Sequence, residues 1–314
     1  MDNLIQVLLL VVGFVLLMKG ADWFVDGAAD IADRLGIPQL VIGLTIVAMG
    51  TSLPEAAVSI SAALKGGETV AITIGNVLGS NIMNVLVILG LTSIIHALPV
   101  QKSTAWIEIP FTILVTVVFA VMGLWNHALD RIDGVILWGF MILYLIYLWN
   151  MAKKGSGSAE EEEKSGKKKP VWLLPIMVLV GAGMIVLGSD VTVDAASKLA
   201  KAFGMDERFI GLTIVAFGTS LPELVTSVTA AIKGKTDIAI GNIVGSNIFN
   251  ILFVAGTTAL IKPVEYASNF FVDSMVAIGA IALLFLCVIK DRKLGRIGGI
   301  IMLLGYAGYF ISIL

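Results

Sequence analysis

The sequence predicts an all-α integral membrane protein, with about ten transmembrane helices forming two inverted five-helix repeats. Composition, a duplicated pair of motifs and the odd number of apolar runs in each copy carry that expectation. Of the 314 residues, 58% are hydrophobic and 14% charged, whereas a soluble domain needs roughly a quarter charged. Many apolar runs approach the ~20 residues that a helix needs to cross the hydrocarbon, where barrel strands would be shorter and would alternate in polarity.

In chain order, spans are expected to start near Leu4, Gln39, Val70, Trp106, Ile132, Val171, Phe209, Ile238, Phe270 and Leu294. The first reads as a retained span, since it lacks the positive n-region and cleavage site of a secretory signal. The first and sixth are long enough to tilt or bend. Between Met151 and Pro170 lies AKKGSGSAEEEEKSGKKKP, whose Gly, Ser and like-charge blocks predict a flexible linker without an EF-hand pattern. The domains are therefore residues 1–150, a cytoplasmic linker 151–170, and residues 171–314.

Five spans per unit, an odd number, make the second unit enter the membrane from the opposite side. With the linker in the cytoplasm, fourteen basic residues fall in loops on its side and six on the other, so both termini are expected outside. The short loops and absence of targeting motifs suggest the cytoplasmic membrane of a prokaryotic cell. A formal net charge of −2 gives no sign of a nucleic-acid partner. The lone Cys287 reads as packing, and no obligate protein partner is evident besides the lipid bilayer.

The first motif is GLTIVAMGTSLPEAAVSISAA at Gly43 to Ala63, which returns as GLTIVAFGTSLPELVTSVTAA at Gly211 to Ala231 with fifteen of twenty-one positions identical. The second, ITIGNVLGSNIMN at Ile72 to Asn84, returns as IAIGNIVGSNIFN at Ile238 to Asn250 with nine of thirteen identical. Gly20, Asp22 and Asp26 match Gly188, Asp190 and Asp194 at the same offset as Glu55 and Glu223. The whole chain reads as a duplicated unit.

Glu55 and Glu223 are acids in strongly apolar surroundings, where a carboxylate is costly unless it is paired or lines a wet cavity. Helical spacing puts Thr51, Ser52 and Glu55 together, and likewise Thr219, Ser220 and Glu223. Asn76, Ser80 and Asn84 share a face, as do Asn242, Ser246 and Asn250. Pro54 and Pro222 each displace a backbone carbonyl four residues earlier, at Gly50 and Gly218. Such carbonyls at membrane depth are tolerated where they line a cavity.

A shell made only of oxygens with two carboxylates suits hard cations such as Ca2+ and Na+; zinc, copper and iron lack their usual ligands here, His96 and His127 being at span ends. Two ionised glutamates balance one Ca2+ and can equally hold Na+ or protons. No cofactor is called for, and no nucleophile, base and electrophile gather near the acids, so an enzyme is not expected.

These motifs closely resemble the α-repeats of the sodium/calcium exchanger family, within the calcium/cation antiporter superfamily, over nearly the whole chain. The resemblance implies antiport of Na+ against Ca2+ by alternating access, with about three Na+ per Ca2+ and one net charge moved. It implies that Glu55 and Glu223 bind the ions with Thr51, Ser52, Thr219, Ser220, Ser80, Asn84, Ser246, Asn250 and the backbone carbonyls of Ala48 and Ala216. GTSLPE in both copies resembles the sodium-coupled branch; a Ca2+/H+ antiporter is the alternative, and a cation channel the more remote one. Some relatives carry an Asp where this chain has Asn250, which leaves stoichiometry open.

Other polar residues read as structural. Gly75 with Gly79 and Gly241 with Gly245 are small-xxx-small packing pairs. Asn76, Asn81, Asn242 and Asn247 are expected to tie helices together. Asp22, Asp26, Asp190 and Asp194 read as interfacial or locally paired, Lys19 being one turn from Asp22. Glu108 and Asp273 are expected at helix N-termini, outside the site. Trp106, Trp125, Trp138, Trp149 and Trp172 read mostly as interfacial anchors.

Overall fold

The computed structural model describes residues 2–65, 72–155, 169–205, 216–268 and 270–313. The expected third and seventh span starts, Val70 and Phe209, and most of the linker lie outside the described residues. The described chain is almost entirely helical: α1 (Asp2–Leu35), α2 (Gln39–Thr51), α3 (Leu53–Lys65), α4 (Thr73–Ile95), α5 (Thr104–Asn126), α6 (Arg131–Lys154), α7 (Leu173–Ala202), α8 (Ala216–Thr219), α9 (Leu221–Ile232), α10 (Thr236–Ile261), α11 (Phe270–Val288) and α12 (Arg296–Ile313). Seven of these are long and apolar enough to cross a membrane, and the bent pair α2–α3 makes an eighth. The chain is a multi-pass helical membrane protein.

Its apolar side chains face both ways, as a bilayer requires. Leu4, Leu8 and Val12 on α1 and Leu179 and Leu187 on α7 are exposed, covered by lipid rather than by protein. Polar groups instead collect inside: α10 is buried along nearly its whole length, including Asn242, Ser246, Asn247, Asn250 and Thr258. α4 is the next most enclosed. These two helices form the centre against which the others pack.

α1 and α7 run antiparallel in the longest contact of the molecule. Small residues allow it: a Cβ on Gly20 would lie 2.9 Å from the Gly181 carbonyl oxygen, and one on Gly181 would lie 2.7 Å from the Phe24 backbone nitrogen. α2 crosses α10 similarly closely at Gly43 and Gly241, where an added Cβ would come to 3.0 Å of backbone. Gly245, packed on Ala48 and Leu44, confirms the packing reading for its pair. Gly75 and Gly79 meet no comparable neighbour among the described residues.

Two short antiparallel ladders pin the helix ends. β1 (Leu98–Pro99) pairs with β4 (Lys293–Leu294), with Leu98 opposite Leu294. β2 (Ala128–Leu129) pairs with β3 (Val264–Glu265), with Ala128 opposite Glu265. Each ladder joins the first half of the chain to the second. α12 packs along α4, and α6 along α10, so each half also clasps the central helix of the other.

The packing is uneven in one respect. α1 lies along α9, whereas its counterpart α7 has no comparable packing against α3. At the α1–α9 contact, Lys233 reaches Asp22 at 3.0 Å and Asp26 at 2.9 Å. Burial alone would lower the Lys233 ammonium, but the hydrogen bonds and charges of Asp26 and Asp22 outweigh it and hold the pKa above the ordinary lysine value. Asp22 thus pairs across the fold, not with Lys19 as its spacing predicts.

The candidate ion site

The site starts at a break. α2 and α3 meet at a 50° bend, with Ser52 outside helical geometry at φ −85°, ψ 10° and Pro54 in the first turn of α3. Ser220 repeats this before Pro222, at φ −92°, ψ 3°. Proline cannot donate to the preceding turn, so the chain restarts its helix one residue after each serine. That restart points Glu55 and Glu223, both 1% exposed, into the protein interior.

One expectation changes here. The Gly218 carbonyl that Pro222 was expected to free for ions accepts a hydrogen bond from the Ser189 hydroxyl of α7 at 2.7 Å. The Ala48 carbonyl is also well supplied, accepting from the Ser52 amide at 3.1 Å, the Thr51 hydroxyl at 3.3 Å and the Ser246 hydroxyl at 3.4 Å. Ala216 opens α8.

The two halves interlock at the acids. The Ser52 hydroxyl, from the first half, donates to Oε1 of Glu223 at 3.0 Å. Thr51 donates to Oδ1 of Asn242 at 3.0 Å, and the Asn242 amide donates to Ser227 at 2.9 Å and to the Glu223 carbonyl at 3.4 Å. In the other half, Asn76 donates to Ser59 at 2.9 Å and to the Glu55 carbonyl at 3.1 Å. Ser80 bonds the Glu55 carboxylate, which stands near enough to Glu223 for their charges to interact. Thr219 is engaged as well.

A second set of asparagines closes the centre. The Asn81 amide donates to the Asn247 carbonyl at 3.1 Å, and the Asn247 amide returns the bond to the Asn81 carbonyl at 3.2 Å. Asn84 then donates to Oδ1 of Asn247 at 3.0 Å, and Asn250 to Oδ1 of Asn81 at 3.2 Å. This reciprocal clasp uses the amide nitrogens of Asn84 and Asn250 and leaves their Oδ1 atoms bare. Both residues also open π-helical segments, Asn84–Leu89 and Asn250–Ala255, a local widening often found at functional positions.

Bare buried oxygens mark the site. Oε2 of Glu55, Oε2 of Glu223, Oδ1 of Asn84, Oδ1 of Asn250 and the Ser220 hydroxyl have no hydrogen-bond partner among the described residues. They sit on mutually packed helices at the centre of the fold. Unmet buried polar groups cost about 1–3 kcal/mol each, so five of one sign make sense around a cation. Two carboxylates and neutral oxygens suit a hard ion.

Ten of the twelve residues implicated by sequence thus converge: Ala48, Thr51, Ser52, Glu55, Ser80, Asn84, Ser220, Glu223, Ser246 and Asn250. Thr219 and Ala216 border the same break. Residue-by-residue reading placed Asn81 and Asn247 as helix ties, and they are, but it missed that they orient the candidate ligands Asn84 and Asn250. It also missed Ser59 and Ser227, one turn beyond each glutamate, whose regular spacing was the available signal.

A helical membrane protein whose two repeated segments pool buried oxygens around a pair of acids belongs to the class of proteins built to hold cations within the bilayer. The sequence profile described as Sodium/calcium exchanger protein matches residues 5–150 and 173–314, and the chain belongs to that family. Among curated relatives, the Sodium/calcium exchanger MaX1 of Methanosarcina acetivorans is 32% identical, over 98% of each chain. The inner membrane protein YrbG of Escherichia coli is 36% identical over 96% of this chain and 95% of its own. A solved structure of the sodium-calcium exchanger NCX_Mj superposes with a TM-score of 0.84 at 35% identity, covering 99% of this chain and all of the other.

Proposed function

We propose that the protein is a secondary antiporter that exchanges Na+ for Ca2+ at one central site, exposed to each side of the membrane in turn. The observation that carries this reading is the set of five bare oxygens, with Glu55 and Glu223 supplied by opposite halves. Two carboxylates balance one Ca2+ or are shared among Na+ ions. The ligands are Thr51, Ser52, Glu55, Ser80, Asn84, Thr219, Ser220, Glu223, Ser246 and Asn250, with the Ala48 and Ala216 carbonyls. An empty site leaves two uncompensated charges in low dielectric, which discourages crossing without an ion and so couples the two fluxes. About three Na+ per Ca2+, moving one net charge, is the ratio the family resemblance implies.

The reading extends to architecture. Residues 1–150 and 171–314 form two five-span units of opposite orientation, joined by the cytoplasmic linker 151–170, with both termini outside and ten spans in the cell membrane. The antiparallel α1–α7 pair and the exchanged pairing of the two ladders support it. Lys233 and the α1–α9 contact lie on the linker side, so that side is sealed and the opposite one is the open approach to the site. In the alternate state, Lys65 takes the corresponding grip on Asp190 and Asp194 while Lys233 lets go.

Ca2+ flux into proteoliposomes tests the coupling when Na+, K+ and pH gradients are imposed separately. A Na+ gradient is expected to drive Ca2+ movement with a current. Movement driven by pH alone, with none driven by Na+, overturns sodium coupling in favour of a Ca2+/H+ antiporter.

A further inference from the structure

α5 opens with a π-helical turn, Thr104–Glu108. The other π-helical segments among the described residues, Gly43–Val47, Asn84–Leu89 and Asn250–Ala255, belong to the helices that build the ion site. The one at Thr104 does not, and it alone of these ends on a buried acid. Glu108 is 1% exposed, inside the candidate span Thr104–Asn126. It stands near the start of its span, as its place in the sequence predicts, but closed off from solvent.

The surroundings of Glu108 are incomplete. Tyr147 on α6 donates its phenol hydrogen to Oε1. Among the described residues Oε2 completes no hydrogen bond, nor do the buried hydroxyls of Thr104 and Tyr144, although those of Thr104 and Ser103 stand beside the carboxyl. No ion pair to Glu108 forms among the described residues. A carboxylate left charged here stands in hydrocarbon without a counter-ion, which the fold would have to offset elsewhere.

One positive charge is therefore missing, and the neighbours identify it. They offer one acid and neutral hydroxyls, a set for a single charge and not for a divalent ion. A proton on Oε2 also supplies a donor, which Thr104 or Tyr144 can accept, so one small ligand meets several unmet groups. We propose that Glu108 holds a resident proton, at a site separate from the central ion site, on the linker side of the protein. The proton lets α5 and α6 pack without a buried charge between them.

The ionisable groups around it are few. α6 contributes Tyr144, stacked on Phe111, and Tyr147. α11, packed along α5 with Phe285 edge-on to Trp106, has Cys287 near this end. On α10, Asp237 is held by Gln101 at 2.6 Å. Lys102, Lys153 and Lys154 stand at the outer ends of α5 and α6, Lys153 over the Trp149 ring.

The second half carries the same parts differently arranged. Asp273 on α11 accepts from Tyr309 at 2.8 Å, and Tyr306 and Tyr309 repeat the spacing of Tyr144 and Tyr147. Asp273, however, is half-buried, begins its helix without a π turn, and has both carboxylate oxygens either bonded or open to solvent. The sealed acid is on one side only. It has a mechanical route to the centre, since α6 packs on α10 through Trp138, which donates to Thr257 at 3.1 Å and meets the Phe253 ring edge-on at 5.3 Å. Phe253 lies in the π segment that starts at Asn250.

Infrared spectroscopy of the full-length protein tests the proposal in a Glu55→Gln/Glu223→Gln background, where the central acids are silent. Subtracting the parent spectrum from that of the added Glu108→Gln variant is expected to show loss of a carboxylic-acid C=O band. Loss of carboxylate bands instead overturns the proposal. Tyr144→Phe and Thr104→Ala keep the acid, and at least one of them is expected to move that C=O band; a band unmoved by both overturns the placement of the proton on Oε2. With the central acids intact, alkalinising the linker side alone is expected to slow Ca2+ movement several-fold in wild type and not in Glu108→Gln. An equal alkaline fall in both overturns the link to transport.

Discussion

Lys233 and Lys65 occupy the same place in the two halves, each ten residues after its glutamate, yet only one of them closes a contact. Lys233 joins Asp22 and Asp26 where α1 lies along α9. Lys65 is exposed and pairs with no described residue, and on its side Asp194 turns to Lys198 at 2.6 Å within its own helix. Near-identical sequence thus supports two packings. A repeat of this kind does not fix one packing for both copies: α1 lies along α9, while α7 makes no comparable contact with α3.

The comparison can be broken most severely at the acids, where the halves are expected to be equivalent despite their different surroundings. Glu55→Gln and Glu223→Gln should each weaken ion binding by about 100- to 4,000-fold, from the roughly 3–5 kcal/mol cost of removing one partner of a buried charged set. Isothermal Ca2+ titration of purified variants checks this. Near-normal binding by either removes that residue from the site.

Next is the clasp. Asn247→Ala leaves the Asn84 amide without its acceptor and the Asn81 carbonyl without its donor, and Asn81→Ala does the same to the Asn250 amide and the Asn247 carbonyl. At about 1–3 kcal/mol for a buried group left unmet, transport is expected to fall about tenfold or more. Ca2+ should lose more affinity than Na+, because fewer oriented oxygens remain, whereas a defect of folding alone would leave the ratio of the two affinities unchanged in the surviving protein. Equal losses for both ions would count against orientation as the role.

The smallest effects should separate the halves. Lys233→Met removes partly exposed pairs worth about 0.2–1 kcal/mol each, shifting the balance of states by a few-fold toward opening on the linker side. Lys65→Met should shift it the other way by a similar factor. Spin-label distances between the linker ends of α1 and α9 read both, and shifts of the same sign would refute the exchange of latches.

Much of this was legible in the sequence because membrane burial makes polar residues conspicuous. Glu55, Glu223 and the Asn-Ser faces stand out against apolar runs, and their repetition ties them to one another. The prolines announced the breaks at Ser52 and Ser220. What stayed hidden were partners from afar: the Ser189 hydroxyl that occupies the Gly218 carbonyl, the cross-fold pairing of Asp22 with Lys233, and Trp138, which reads as an interfacial anchor but is hydrogen-bonded to Thr257 inside. Glu108 stands near the start of its span, as spacing predicts, but its burial was hidden for the same reason. Spacing from a helix start says where a residue falls along the chain, not which helices close over it.

By itself, the sequence determined that the chain lives in a membrane, that it is built twice, and which oxygen-bearing side chains fall on common helix faces. Those properties follow from composition and helical period, which are local. Only the tertiary structure decided which oxygens are consumed by one another and which stay bare, and which half's glutamate helix the α1–α7 pair lies along. Both depend on contacts between residues more than a hundred positions apart, and two nearly identical halves carry no local signal to choose between them.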